Sequence, residues 1–441
     1  MKKTVGMVSL GCSKNRIDSE VMLGMLKQAG YTIVSNPAKA EIIIVNTCGF
    51  ITPAKEEAID TIFDMAEYKE RGTCKLLVVT GCLVQRYGEE LRDEIPEIDL
   101  LMGVSSYMNF IPALEKALKG ERQLLTERCD KFFDAPRILT TPPYTAYVKL
   151  SDGCDNKCTY CAIPIIRGSY ASRPFDDIVD ECRRLTENGV SELTLIAQDT
   201  SRYGNDFEEK RLLLPKLLHT VHGLDGLHWL RVLYCYPDTV NDELLDAIGY
   251  LPKACRYLDL PLQHVNDDVL RRMNRRGSQA LICKLIKRCR ERDITIRTTM
   301  MVGFPGETEA EFEELLAFME EAKFDRLGAF AFSAEEGTVA AEMPDQIDED
   351  VKQDRLDRLM SLQQGISLAS CQKRIGETCE VLVEGYRKGK YIGRSKLEAP
   401  EVDGKIQFTA QKNYKPGEYA HVEITSATEY DLCGEAVIPK W

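Results

Sequence analysis

The stretch Thr145-Ala146-Tyr147-Val148-Lys149-Leu150-Ser151-Asp152-Gly153-Cys154-Asp155-Asn156-Lys157-Cys158-Thr159-Tyr160-Cys161 decides the reading of this chain. Its first six residues form a short apolar-rich run suited to a buried strand. Three cysteines then fall within eight residues, close enough for their thiolates to wrap one metal cluster. Three protein ligands on a four-iron cluster leave one iron open, where a small molecule can chelate. The competing reading is a zinc knuckle. Zinc would ask for a fourth Cys or His nearby, and none follows closely.

The strand opens a repeating pattern. Five more candidate strands follow at Glu192–Ala197, Trp229–Leu233, Tyr257–Leu260, Thr295–Met301 and Leu327–Phe332, with helical stretches between most of them. One helix begins at Pro174, a favoured first helical position, and stops at Gly189. Six βα units predict an α/β architecture, an incomplete (β/α)6 TIM-type barrel over residues 140–370. Sites in such folds lie at the C-terminal ends of the strands.

Before this region, residues 3–119 also alternate strands and helices. Thr4–Leu10, Glu41–Asn46 and Lys75–Thr80 read as buried strands, and Ser13–Ala29 as an amphipathic helix stopped by Gly30. Such runs separated by helices predict a parallel sheet with right-handed crossovers. Thr140-Thr141-Pro142-Pro143 reads as a linker, since prolines oppose helix. After it all, residues 372–441 change character. Val381–Gly385, Tyr391–Arg394, Ile406–Phe408 and Tyr419–Ile424 are short runs between turn residues, as in a small antiparallel β-barrel.

A second cysteine set emerges from this topology. Cys12, Cys48 and Cys82 each lie just past a strand of the first segment. Parallel strands place their C-terminal ends on one edge, where ligands usually bind. The sheet therefore gathers three thiols that are distant in sequence, as a second candidate cluster site. Plain burial is the alternative for any one of them alone. Cys74 begins its strand and belongs to the opposite edge. Cys182, Cys283 and Cys289 sit in helical stretches, Cys371, Cys379 and Cys433 in or near the terminal barrel, and Cys129, Cys235 and Cys255 have no spacing partner.

The three cysteines after the first strand of a six-unit barrel, spaced C-x3-C-x2-C with Tyr160 before the last, resemble the radical S-adenosylmethionine (SAM) superfamily. Ser9-Leu10-Gly11-Cys12-Ser13-Lys14-Asn15, Val45-Asn46-Thr47-Cys48-Gly49-Phe50 and Thr80-Gly81-Cys82-Leu83 resemble the amino-terminal domain of the methylthiotransferases within it. The terminal barrel resembles a TRAM domain. The resemblance implies two 4Fe-4S clusters, S-adenosylmethionine and a low-potential electron donor. It also implies one SAM cleaved to a 5′-deoxyadenosyl radical and a second consumed as methyl donor. Metal ligands would be Cys12, Cys48, Cys82, Cys154, Cys158 and Cys161.

Polar residues at the strand ends are the candidates for holding SAM. These are Tyr160, Gln198, Asp199, Arg297, Thr299 and Gly303, the last opening Gly303-Phe304-Pro305-Gly306-Glu307. Glycine there lets backbone approach a ligand closely. His264 is a rim hydrogen bonder or faces the substrate. The basic runs Arg271–Arg276 and Lys284–Arg292 read first as solvated faces.

One branch of the resembled family modifies a tRNA adenosine. The other modifies an aspartate β-carbon of small-subunit ribosomal protein S twelve. The resemblance of Gly49-Phe50, Ser151–Cys158, Ser169–Pro174 and Ala197–Thr200 is closer to the second. Residues 375–441 carry 9 Lys and Arg against 11 Asp and Glu, a balance of −2, whereas a clamp for RNA backbone should be basic. The ribosomal protein is therefore the expected substrate and tRNA the alternative. A non-catalytic, zinc-stabilised binding protein is the alternative of another class.

Composition sets the outer bounds. The chain has 441 residues, enough for two or three domains, with a net charge of −13. That charge suits a basic partner better than nucleic-acid backbone. Sixteen cysteines in a reducing compartment point away from disulfides. No run is long and apolar enough for a membrane span. Met1-Lys2-Lys3-Thr4-Val5 runs straight into a strand without a signal-peptide core, so a cytoplasmic location is expected.

Overall fold

A computed structural model describes residues 3–104, 106–128 and 137–438. Cys129 lies outside the described residues. The chain forms two compact units, one comprising residues up to 142 with 147–178 and 333–341, the other 143–146, 179–332 and 342 onward.

The first unit is built on a sheet. Its elements run β1 (Thr4–Ser9), α1 (Ser13–Gln28), β2 (Thr32–Ile33), β3 (Ile42–Thr47), α2 (Thr52–Ala66), α3 (Tyr68–Arg71), β4 (Leu76–Gly81), α4 (Cys82–Glu94), β5 (Leu100–Met102), α5 (Phe110–Ala117) and β6 (Gln123–Leu125). Six parallel strands take the order β2-β1-β3-β4-β5-β6. Every residue of β3 and β4 is buried, as expected for central strands covered on both faces. Alternate side chains feed two cores. Ile42, Ile44 and Val78 pack with α1 and α5, and Ile43, Val45, Leu77 and Val79 with α2 and α4. Strands β2, β5 and β6 were not anticipated, because runs of two or three residues carry no readable period.

The same unit holds β7 (Thr145–Lys149) from Tyr147 onward, β8 (Ser151–Asp152), α6 (Ile163–Arg167) and β9 (Ala171–Ser172). Strands β8 and β9 form a two-stranded antiparallel clip, Ser151 facing Ser172 and Asp152 facing Ala171. The segment before the predicted linker lies along α1. Ile138 N–H donates to the Glu20 carbonyl and Thr140 N–H to Glu20 Oε1.

The second unit carries the remaining βα repeats, from α7 (Phe175–Glu187) through β10 (Glu192–Ile196), α8 (Leu214–His222), β11 (Trp229–Val232), α9 (Asp242–Tyr250), β12 (Tyr257–Gln263), α10 (Asp267–Arg272), α11 (Gln279–Arg290), β13 (Thr295–Val302), α12 (Glu309–Ala322) and β14 (Arg326–Ala331) to the long α13 (Glu349–Gln372). Strands β10 and β11 pair in parallel, as do β12, β13 and β14 in chain order. Backbone hydrogen bonds from Cys255 N–H to the Leu230 carbonyl and from Cys235 N–H to the Asp259 carbonyl link the two ladders. Local capping starts the helices. Asn241, Asn266 and Ser278 cap α9, α10 and α11, and Thr308 with Glu311 forms a capping box on α12.

The chain ends in a closed five-stranded barrel of β15 (Thr378–Arg387), β16 (Lys390–Arg394), β17 (Ile406–Thr409), β18 (Tyr419–Ala427) and β19 (Leu432–Ala436), in the order β15-β16-β17-β19-β18. The expected all-antiparallel barrel needs one correction. Strand β19, absent from the sequence reading, pairs in parallel with β17, Ile406 beside Leu432 and Thr409 beside Glu435. Closure demands it, since β17 and β18 would otherwise each keep an open edge.

Buried ion pairs seat this barrel on the strand beginnings of its own unit. Glu192, first in β10, takes both Arg394 terminal nitrogens at 3.0 and 2.6 Å. Arg231 of β11 donates to the Lys396 carbonyl, Tyr257 of β12 to Asp403, and Arg326 of β14 to Glu398. Burial alone would raise Glu192, but Arg394 and Arg231 hold its carboxyl down to about 2. Glu398 is likewise held at about 2, burial being outweighed by Arg374 and Arg326. The C-terminal rim, where sites of such folds lie, is the opposite end of the strands.

Candidate functional site: two cysteine triads

The first triad occupies one loop. Cys154 N–H donates to the Gly168 carbonyl at 3.1 Å, and Cys161 N–H closes a turn on the Cys158 carbonyl at 3.1 Å. Lys157 adopts a left-handed φ of 54°, which turns the chain between the first two cysteines. Tyr170 N–H binds Asp155 Oδ1 at 3.1 Å, and Ala340 N–H binds the Thr159 carbonyl at 2.9 Å. All three cysteines are half-buried, as is Tyr160.

The second triad is assembled by topology. Cys12 follows β1 and directly precedes α1, Cys48 follows β3, and Cys82 opens α4 straight after β4. These three strands are neighbours in the sheet, with Ser9 beside Asn46 and Thr47 beside Gly81. Close approach depends on glycine. A Cβ on Gly11, whose φ is +85°, would sit 2.9 Å from Cys48 Cβ and 3.2 Å from its Sγ. A Cβ on Gly49 would sit 2.7 Å from Leu83 N and 2.9 Å from the Cys82 carbonyl carbon. Side chains on either residue would push two of the cysteine loops apart.

The thiols sense each other. Burial raises Cys48, and Cys12 adds to the shift. Burial pushes Cys82 up to about 12, with Arg167 opposing and Cys12 and Cys48 reinforcing. Cys12 is exposed, so this edge opens to solvent on one side. Among the described residues, no three Cys, His, Asp or Glu side chains converge tightly enough to hold a single metal ion. Cys74, placed by the sequence at the far edge, is buried in the core against β4.

Two buried charge groups brace this region. In one, Lys149 Nζ binds Asp18 at 2.8 Å and Asp152 at 3.0 Å, while Arg167 binds the same two carboxylates. Burial would raise Asp152, but Arg167 and Lys149 hold it well below the usual carboxylate range. In the other, Glu335 accepts Thr52 N–H at 2.9 Å and Lys55 Nζ at 2.9 Å, with Arg86 Nη1 3.5 Å away. Arg86 also donates to the Gly49 carbonyl at 2.9 Å. The loop carrying Glu335 thus grips the start of α2 just after Cys48, and through Ala340 it grips the Cys158–Cys161 turn. Sequence reasoning missed these residues. Glu335 carried one available signal, lying just past the sixth barrel strand on the expected rim.

The candidate SAM contacts fall in different places. Gln198 and Asp199 follow β10, and Asp199 is buried and accepts Ser201 Oγ at 2.8 Å. Arg297 is the third residue of β13 and sits toward the strand's beginning. It binds Asp259 Oδ1 at 3.0 Å and faces Asp403, a carboxylate of the barrel seat, at 3.7 Å. Thr299 shares its face two residues nearer the rim. Gly303 N–H donates to Glu307 Oε2 at 2.6 Å. Glu307 also takes Arg355 at 2.7 Å, which braces the turn that carries Gly303, and the fully buried His264 Nε2 lies 3.2 Å from Glu307 Oε1. The basic runs are matched by acids, Arg272 by Glu311, Arg288 by Asp242 and Arg292 by Asp246.

Comparison with known proteins fixes the family. Residues 148–319 match the radical SAM superfamily, residues 4–103 the uncharacterized protein family UPF0004, and residues 375–437 the TRAM domain. The chain is similar to the ribosomal protein uS12 methylthiotransferase RimO of Desulforamulus reducens, with 51% identity over 98% of this chain and 99% of that one. Similarity to the RimO of Pelotomaculum thermopropionicum is 50% over the same shares. Among solved structures, the fold is similar to the radical SAM methyltransferase TsrM of Kitasatospora setae, with a TM-score of 0.59, 14% identity and 75% of each chain covered. The chain belongs to the uS12 methylthiotransferase (RimO) family of radical SAM enzymes.

Proposed function

We propose that this enzyme attaches a methylthio group to the β-carbon of an aspartate in ribosomal protein uS12. Likeness to RimO proteins along nearly the whole chain carries this reading. We assign Cys154, Cys158 and Cys161 to one 4Fe-4S cluster and Cys12, Cys48 and Cys82 to the other. The donor set supports the assignment: soft thiolates, in threes, with one iron of each cluster left for a non-protein ligand. When bound, the clusters and SAM supply the radical and sulfur-transfer chemistry.

The protein's share is positional. The Cys154 loop is held by backbone hydrogen bonds at both ends, which keeps its three sulfurs in one arrangement. The Gly11 and Gly49 contacts let the sheet-edge thiols close on each other. Glu335 offsets one of the two cations, Lys55 and Arg86, that it binds near Cys48, and the trio keeps a net positive charge there. We assign Tyr160, Gln198, Asp199, Thr299 and Gly303 to SAM binding. Arg297, committed to Asp259 and Asp403, would act by holding its strand.

The domain bounds proposed are 3–119, 140–370 and 372–441. A cytoplasmic location and a low-potential electron donor complete the reading. Among the described residues no helix is long and apolar enough to cross a membrane.

The test is mass spectrometry after anaerobic reaction of the reconstituted enzyme with SAM, a low-potential reductant and either uS12 or bulk unmodified tRNA. A methylthio mass gain on an aspartate of uS12 is expected. A gain on a tRNA adenosine alone would overturn the substrate.

A further inference from the structure

Helix α6 joins the two triads. It starts directly after Cys161, with Ala162 as its N-cap, and ends at Arg167. Arg167 is buried. Its Nη1 donates to Asp152 Oδ1 and Oδ2 at 3.2 and 3.1 Å, and its Nη2 to Asp18 Oδ2 at 2.8 Å. The same Nη2 lies 3.9 Å from Cys82 Sγ, within reach of an N–H···S hydrogen bond. Ala162 and Ile166 of this helix pack against Cys82 as well.

The arrangement is more than an ion pair. Two carboxylates fix the planar guanidinium, and its fork leaves a donor aimed at the sulfur. Lys149 balances the second carboxylate, so the four-charge group is neutral overall and what Arg167 offers the sulfur is its directed N–H. An N–H donor at a ligating sulfur favours the reduced, more negative state of a cluster.

We propose that Arg167 is a positioning residue for the N-terminal cluster, hydrogen-bonding the Cys82 sulfur and raising the reduction potential of the cluster held there. Through α6 the same contact ties that cluster's geometry to the Cys154–Cys161 loop. The proposal rests on the assignment of Cys12, Cys48 and Cys82 as ligands.

The test uses the full chain carrying C154A, C158A and C161A, so that only the N-terminal cluster forms on anaerobic reconstitution. Its midpoint potential is read by a redox titration followed by electron paramagnetic resonance, with Arg167, R167Q and R167K compared. Both variants should keep their iron and titrate at more negative potential, Gln further than Lys. Lysine preserves the charge between Asp18 and Asp152, so R167K decides if R167Q loses its native circular dichroism. A midpoint in R167K equal to that of the Arg167 chain overturns the proposal. Absence of iron from the Arg167 chain itself would instead overturn the ligand assignment.

Discussion

The two cysteine triads are built by opposite routes. One is a single loop, with Cys154 and Cys161 seven positions apart and pinned at both ends by backbone hydrogen bonds. The other draws on three strands, with 36 positions from Cys12 to Cys48 and 34 from Cys48 to Cys82. The loop triad carries its geometry locally. The sheet-edge triad inherits its geometry from the register of β1, β3 and β4 and from two glycines that let the loops touch. A local site should survive damage to the sheet, and a topological site should not.

The largest expected effect separates the triads outright. Replacing Cys154, Cys158 and Cys161 by Ala should reduce SAM cleavage to background, read as 5′-deoxyadenosine by chromatography with mass detection. Cleavage persisting at the wild-type rate would refute the role of the loop. Replacing Cys12, Cys48 and Cys82 should leave 5′-deoxyadenosine formation partly intact while methylthio product disappears. Product formed at an unchanged rate would remove the sheet edge from the reaction.

Acid should spare the comparison and strike elsewhere. Glu192 and Glu398 have folded values of about 2, below their ordinary 4.5. A depressed carboxylate stabilises the fold above its unfolded value and loses that contribution as pH falls through the folded one. Each should therefore contribute on the order of 3 kcal/mol at neutral pH, lost between about pH 4.5 and pH 2. Urea titrations at pH 5 and pH 3 should show the second unit weakening, and R394M should flatten the dependence. An equal pH slope in R394M would contradict the role given to the Glu192 pair.

The smallest effect in free energy is the sharpest for the comparison. Gly49→Val would force a side chain into the backbone of Cys82 and Leu83, costing roughly 1–3 kcal/mol of local packing. The sheet-edge cluster should then fail to load while the loop cluster and 5′-deoxyadenosine formation remain. Iron analysis checks it, and full loading in Gly49→Val would show that the close approach is dispensable.

The comparison also explains what the sequence could disclose. Spacing made the loop triad legible, and the strand-end rule made the sheet-edge triad legible, because β1, β3 and β4 are apolar runs, those of β3 and β4 buried throughout. The six barrel strands are readable as short apolar-rich runs between helical stretches, although β14 is only half-buried. The three residues of β5 and of β6 are too few to show a period, and β19 is interrupted by Cys433 and Gly434. Its parallel pairing with β17 is a property of closure, not of either strand. Arg297 was assigned to the rim, but β13 starts at Thr295, so its third residue still lies near the beginning. The buried charges were invisible. Lys149 meets Asp18 across 131 positions and Arg167 meets it across 149, and no local pattern marks such partners.

The most direct test of two independently built cluster sites is the iron and sulfide content of the reconstituted full-length protein and its two triple-alanine variants. The account predicts roughly eight iron per wild-type chain and roughly four in each triple variant. Loss of all iron from either variant, or no loss from one, would contradict it.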